Sequence, residues 1–181
     1  SYRYFLIKLL VMDLYQTIIY MVRHGETDRT YSPDARLDAQ RQLSKFGIQQ
    51  IKKVGKYLSE FEPSAIFSSP LDRCVDSATI IKHETNFHGQ IEIDMHLAEY
   101  YPNKKFDISS RTNPVLEQIL RNFKGEHVVV VTHQYVIQSL VARLWEVDHY
   151  DVECEPADVY RLVLAEGTLV EAMRLQPSKT G

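Results

Sequence analysis

The chain has 181 residues, 44% of them hydrophobic and 25% charged, which is the composition of one ordinary globular domain large enough to bury a sizeable core. A formal net charge of −3 leaves no basic footprint for nucleic acid, so any anion bound here must be held by a local cluster of cations. Two cysteines, Cys74 and Cys154, are too few for a disulfide framework or a thiolate zinc site, so no metal is expected and a reducing cytoplasm is the expected compartment.

Residues 1–16 are crowded with apolar side chains, among them Tyr4, Phe5, Leu6, Ile7, Leu9, Leu10 and Val11. Asp13 interrupts the run short of the roughly 20 residues of a membrane helix, and no small-residue cleavage pair marks a secretory signal. No membrane association is therefore expected. The segment is an extra element packed on the domain, an interface for a homo-oligomer or other partner, or an extension ahead of a native start at Met12. The domain proper is expected over residues 17–175, with 176–181 as a frayed tail.

Ile18-Ile19-Tyr20-Met21-Val22 runs without polar alternation into Arg23, His24 and Gly25. Such a run suits a central strand covered on both faces, and its C-terminal tip is where an open α/β sheet binds ligands. Residues 28–42 are polar, contain Pro33, and are expected to loop over that tip. A helix follows from Leu43-Ser44 to about Glu60, with Ser44 as N-cap and Phe46, Ile48, Ile51, Val54, Tyr57 and Leu58 as its apolar stripe. Ala65-Ile66-Phe67 is a short strand, turned by Ser68-Ser69-Pro70 into a helix from about Leu71 to Glu84. This strand and helix alternation is the signature of a parallel sheet with crossover helices.

Residues 90–94 form a third expected strand. The stretch 96–113, with Pro102 and the Lys104-Lys105 pair, is loop-like or partly helical, and Pro114 is placed to open a helix that Gly125 ends. His127-Val128-Val129-Val130-Val131-Thr132 is the strongest strand in the chain. It ends at His133 and passes into a helix from about Tyr135 to Glu146. Residues 157–165 and 168–175 alternate around Glu166-Gly167 as a hairpin.

Arg23, His24, Arg73, Glu99 and His133 all fall at strand ends or just beyond them. The strings Arg23-His24-Gly25-Glu26-Thr27, Ser69-Pro70-Leu71-Asp72-Arg73, Leu97-Ala98-Glu99 and Val131-Thr132-His133, in this order, resemble the histidine phosphatase superfamily, which includes the cofactor-dependent phosphoglycerate mutases and many small phosphatases. The resemblance runs from about Ile18 to Leu164. It implies a three-layer α/β sandwich with a mostly parallel central sheet and helices on both faces. It also implies a phosphohistidine intermediate on His24, with neither metal nor cofactor.

The chemistry of the residues agrees. Phosphoryl transfer through nitrogen needs a neutral imidazole whose second nitrogen is held by a hydrogen bond, and His24 is the candidate nucleophile. The guanidiniums of Arg23 and Arg73 can grip non-bridging oxygens and disfavour protonation of His24. His133 can donate to charge building on the equatorial oxygens. Glu99 is the candidate proton donor to the leaving alkoxide and later the base for water.

The pattern departs from the family at Thr30, where Asn is frequent, and at Gln134-Tyr135, where two glycines commonly follow the second histidine. Thr30 and Gln134 are therefore candidate substrate contacts only. Tyr31, Tyr100, Tyr101, Phe106 and Tyr135 can line an aromatic pocket, although local packing is their ordinary reading, and Cys74 is read as core. The expected activity is metal-independent phosphomonoester hydrolysis of a small phosphorylated molecule or a phosphoprotein. A phosphoglycerate mutase-type transfer and a weakly active phosphate-binding module are the alternatives.

Overall fold

Why the apolar run after Gln16 carries no polar alternation becomes plain in three dimensions: it is an inner strand with helices on both sides. The computed structural model describes residues 16–99 and 108–180. Its elements are β1 (Thr17–Arg23), α1 (Ala35–Ala39), α2 (Lys45–Leu58), β2 (Ala65–Ser68), α3 (Asp72–Glu84), β3 (Ile91–Ile93), α4 (Ile108–Asn122), β4 (His127–Thr132), α5 (Gln134–Trp145), β5 (Val159–Ala165) and β6 (Thr168–Leu175). The sheet order is β3-β2-β4-β1-β5-β6. Strands β1 to β4 are mutually parallel, β5 is antiparallel to β1, and β6 is antiparallel to β5.

Side chains along β1 and β4 alternate between two cores, as the period of two requires. On one face Ile19, Met21, Val128 and Val130 pack with Val115 and Ile119 of α4 and Val136, Ile137 and Val141 of α5. On the other, Ile18, Tyr20, Val22, Val129 and Val131 pack with Ile51 and Val54 of α2 and Ala78 and Ile81 of α3. The result is the three-layer sandwich expected. Each such aliphatic side chain contributes about 1.5–3 kcal/mol on burial, so the inner strands are the best-anchored backbone in the molecule.

Ser44 caps α2 as expected, its Oγ accepting from the Gly47 N–H at 2.9 Å. Three local expectations are corrected. The loop 28–42 contains the one-turn helix α1, because the Asp34 carboxylate caps the Arg36 and Leu37 N–H groups. Helix α4 begins before Pro114, which lies inside it. Tertiary contacts hold that first part in place: Thr112 is buried, and Arg111 donates to the Met95 carbonyl at 2.7 Å. The end expected to fray is pinned, with Gln176 donating to Asp158 at 3.1 Å, Pro177 buried and Lys179 paired with Glu155.

Residues 1–15 of the expected N-terminal extension lie outside the described residues, as do Tyr100, Tyr101, Lys104, Lys105 and Phe106. Among the described residues no helix is long and apolar enough to cross a membrane.

Candidate active site

Three neighbouring parallel strands end at one level. Arg23 is in register with Thr132, and Ser68 with Val131, so the residue after each strand enters the same crevice. The ladder runs one step further, with His24 N–H donating to Thr132 O at 3.1 Å and Ser69 N–H to Val131 O at 3.0 Å. His24, Ser69 and His133 are thereby fixed by backbone before any side chain acts. The two imidazole centroids lie 5.3 Å apart at 67°.

His24 is 4% exposed and its Nδ1 lies 2.8 Å from the Gly25 carbonyl. A carbonyl oxygen only accepts, so Nδ1 carries the proton and Nε2 keeps its lone pair. Arg73 Nε–H points at that lone pair from 3.1 Å. Burial first, and then the Arg73 charge, hold the His24 pKa well below the ordinary histidine value, against the opposing pull of the Gly25 carbonyl. The His133 ring, fully buried, is depressed likewise by burial and then by His24 and Arg73.

Around these rings stand charged groups from four segments. Arg73, wholly buried at the start of α3, donates through NH1 to the Asp38 carbonyl at 2.8 Å and has NH2 3.4 Å from Asp38 Oδ2. Arg23 donates through NH1 to the Cys154 carbonyl, while its buried Nε finds no hydrogen-bond partner among the described residues. That donor in reserve suits an anion. Glu99 Oε2 lies 3.6 Å from His133 Nδ1, within ion-pair reach but too long for a hydrogen bond. Among the described residues no group of three or more His, Cys, Asp or Glu side chains is placed to hold a metal ion.

The profile of the histidine phosphatase superfamily (branch 1) matches residues 19–104 and 104–174. The chain belongs to that superfamily. It is 29% identical over 165 residues to the metal-independent phosphoserine phosphatase of Arabidopsis thaliana, covering 71% of this chain and 68% of that protein. It is 24% identical over 149 residues to the uncharacterized phosphatase PhoE of Bacillus subtilis, covering 71% of this chain and 77% of the relative. Among solved structures, the protein histidine phosphatase SixA complexed with tungstate superposes with a TM-score of 0.70 at 18% identity, over 88% of this chain and 97% of the other, a likeness of fold.

Of the residues the superfamily resemblance singles out, His24, Arg73, Glu99 and His133 converge, and Arg23 acts on His24 through its charge. Gln134 opens α5 directly after His133, so its backbone N–H belongs to the helix start. Thr30 is exposed in a surface depression beside Asp28, Arg29, Ser32, Leu37 and Arg41, with no hydrogen bond to the His24 group among the described residues. Cys74 is core, as read, although its Sγ comes within 3.4 Å of His133 Nε2; burial pushes this thiol's pKa up, so it stays protonated.

Four participants carry no sequence signal of their own. Asp38 is buried between Arg73 and Arg41, with Arg41 Nε 2.8 Å from Asp38 Oδ1 at an angle that misses hydrogen-bond geometry. Ser69 Oγ lies 2.7 Å from His133 Nε2. Ser77 Oγ accepts from the Gly25 N–H at 3.3 Å, tying α3 to the turn after the nucleophile. Only Ser69 stands inside a quoted string, and nothing in that string assigns it a role.

Proposed function

We propose that the protein is a metal-independent phosphomonoesterase working through a phosphohistidine on His24. The observation that carries this reading is the His24 ring itself. Its Nδ1–H is committed to Gly25 and its Nε2 lone pair faces the crevice, flanked by Arg73 and His133. Superfamily membership and the phosphatase relatives support the same reaction class.

In the first step His24 Nε2 attacks phosphorus, Arg73 turns its N–H from the lone pair to a non-bridging oxygen, and the P–O ester bond breaks. Glu99 gives its proton to the leaving alkoxide. His133 and Arg23 donate to the oxygens that gain charge in the transition state. In the second step Glu99 takes a proton from water, the water oxygen attacks phosphorus, and the P–N bond breaks to release inorganic phosphate and neutral His24. The positive charge that phosphoryl transfer requires comes from guanidiniums. Small phosphomonoesters are the proposed substrates, with O-phosphoserine the first to try because the Arabidopsis relative is named for it.

The test is phosphate release from generic monoesters, phosphoserine and phosphoglycerates in the presence of chelator. Wild type is expected to turn over, and His24→Ala to lose at least about 10³-fold in kcat because the covalent route is gone. Undiminished release by His24→Ala would sink the mechanism. Turnover without free phosphate would mark a mutase, and no turnover of any ester would favour a binding module. Acid quench of wild type is expected to trap an acid-labile phosphoryl group on His24.

A further inference from the structure

An anion-binding site normally gathers cations, yet this one has a carboxylate built into it. Asp38, 5% exposed on α1, has Oδ2 3.4 Å from Arg73 NH2 and Oδ1 2.8 Å from Arg41 Nε, and its carbonyl accepts from Arg73 NH1 at 2.8 Å. The Ser32 N–H donates to Oδ1 at 3.3 Å, and the Asp34 cap fixes the one-turn helix that presents it. Of the two cations it holds, Arg73 reaches the reaction centre directly, its Nε 3.1 Å from His24 Nε2, while Arg41 donates through NH1 to Thr27 Oγ1 at 3.2 Å on the chain leaving His24.

We propose that Asp38 is the positioning residue and internal counter-anion of the phosphate site, aiming Arg73 at His24 while weakening the hold of Arg73 and Arg41 on the phosphate the reaction produces. The inference rests on the phosphomonoesterase reading above. Guanidiniums gathered about one anion site bind substrate, transition state and product phosphate with similar strength, and binding of that uniform kind lowers KM without raising kcat. A carboxylate in ion-pair contact with two of them draws off part of their field at all times, so the dianion released in the second step leaves more readily. The same contacts keep the Arg73 fork in one orientation, and orientation is what the transition state needs.

Removing the charge should therefore move two readouts in opposite directions. Inorganic phosphate is titrated calorimetrically into the 181-residue wild-type chain and Asp38→Asn, and kcat is measured on a generic monoester. Asp38→Asn is expected to bind phosphate about tenfold or more tightly, since a unit charge has left the neighbourhood of a dianion, while kcat falls at least about tenfold. A prop of purely structural importance would weaken both. Unchanged or weaker phosphate affinity in a variant with wild-type circular dichroism overturns the proposal.

Should Asp38→Asn not fold, wild type alone decides: the Nε–Hε NMR signals of Arg41 and Arg73 are expected to shift as phosphate enters the field of two guanidiniums that stay paired with Asp38, and invariant signals at saturating phosphate overturn the idea. Wild type that binds no phosphate and turns over no ester ends both this inference and the hydrolase reading. Tighter binding by Asp38→Asn together with full turnover by His24→Ala leaves the counter-anion standing and removes the phosphohistidine.

Discussion

At the scale of single residues, the second histidine is defined by a serine. Ser69 Oγ, 2.7 Å from His133 Nε2, also accepts from the Leu71 N–H at 3.3 Å, which fills one of its two lone pairs and favours its O–H as the donor to Nε2. A neutral ring accepting at Nε2 must carry its proton on Nδ1, the nitrogen facing Glu99. In that tautomer His133 enters the crevice as a donor. Ser69→Ala is expected to lower kcat about tenfold with little change in KM, because the donor matters most when charge builds on phosphorus oxygens. Imidazole ¹⁵N shifts should show the Nδ1–H form in wild type; a wild-type ring protonated at Nε2 would count against the assignment. The strings around His24 and His133 were legible because chemical side chains there follow long apolar runs, and the one around Arg73 because it follows a short apolar strand and its turn. Asp38 and Arg41 were not, because the Arg73 that Asp38 holds is 35 residues away and a polar loop has no period to announce which of its charges is buried.

At the scale of elements, the nucleophile turn is held by backbone pressed on backbone. A Cβ on Gly47 would lie 2.1 Å from the Glu26 carbonyl oxygen, and one on Gly25 would lie 2.6 Å from the Gly47 oxygen. The first turn of α2 therefore rests directly on the chain leaving His24, and Ser44 N–H donates to the Glu26 carbonyl at 2.9 Å. Gly47→Ala is expected to cost about 2–3 kcal/mol in urea unfolding and to lower kcat, since the clash is with main chain and pushes the turn that carries His24. Gly167→Ala is the control: at φ +82 with open space around it, it should cost about 1 kcal/mol in strain and leave kcat alone. Equal effects of the two on kcat would refute the coupling. The main helices and strands could be read from hydrophobic period and caps, whereas α1 is too short to display a period. The early start of α4 is set by contacts such as Arg111 with the Met95 carbonyl, which no local pattern encodes.

At the scale of the whole molecule, β1 and β4 are neighbours although most of the chain lies between them, an adjacency that the strand and helix alternation permits but does not dictate. It places two imidazoles side by side at the end of two strands buried at all but one residue each, and folding must bury both without charge. Each has its pKa lowered in the native state, by burial above all, and the charge of one opposes protonation of the other. The unfolded chain takes up a proton at each ring near the ordinary value of about 6.5, and the native chain does so only well below it. Between those limits the unfolded state binds more protons, so stability falls as pH falls, by about 1.4 kcal/mol per pH unit for each ring. Above 6.5 the two rings contribute no slope, and below their native pKa values the loss levels off. Urea midpoints measured without phosphate should hence stay level from pH 8 to 7 and drop steadily below about 6.5. In His133→Gln, which leaves His24 and the partly buried His127 with lowered pKa values, the drop should be shallower. A midpoint that holds level from pH 7 to 5 would mean that neither ring is buried neutral, and His24 would then lack the lone pair on which the proposed chemistry depends.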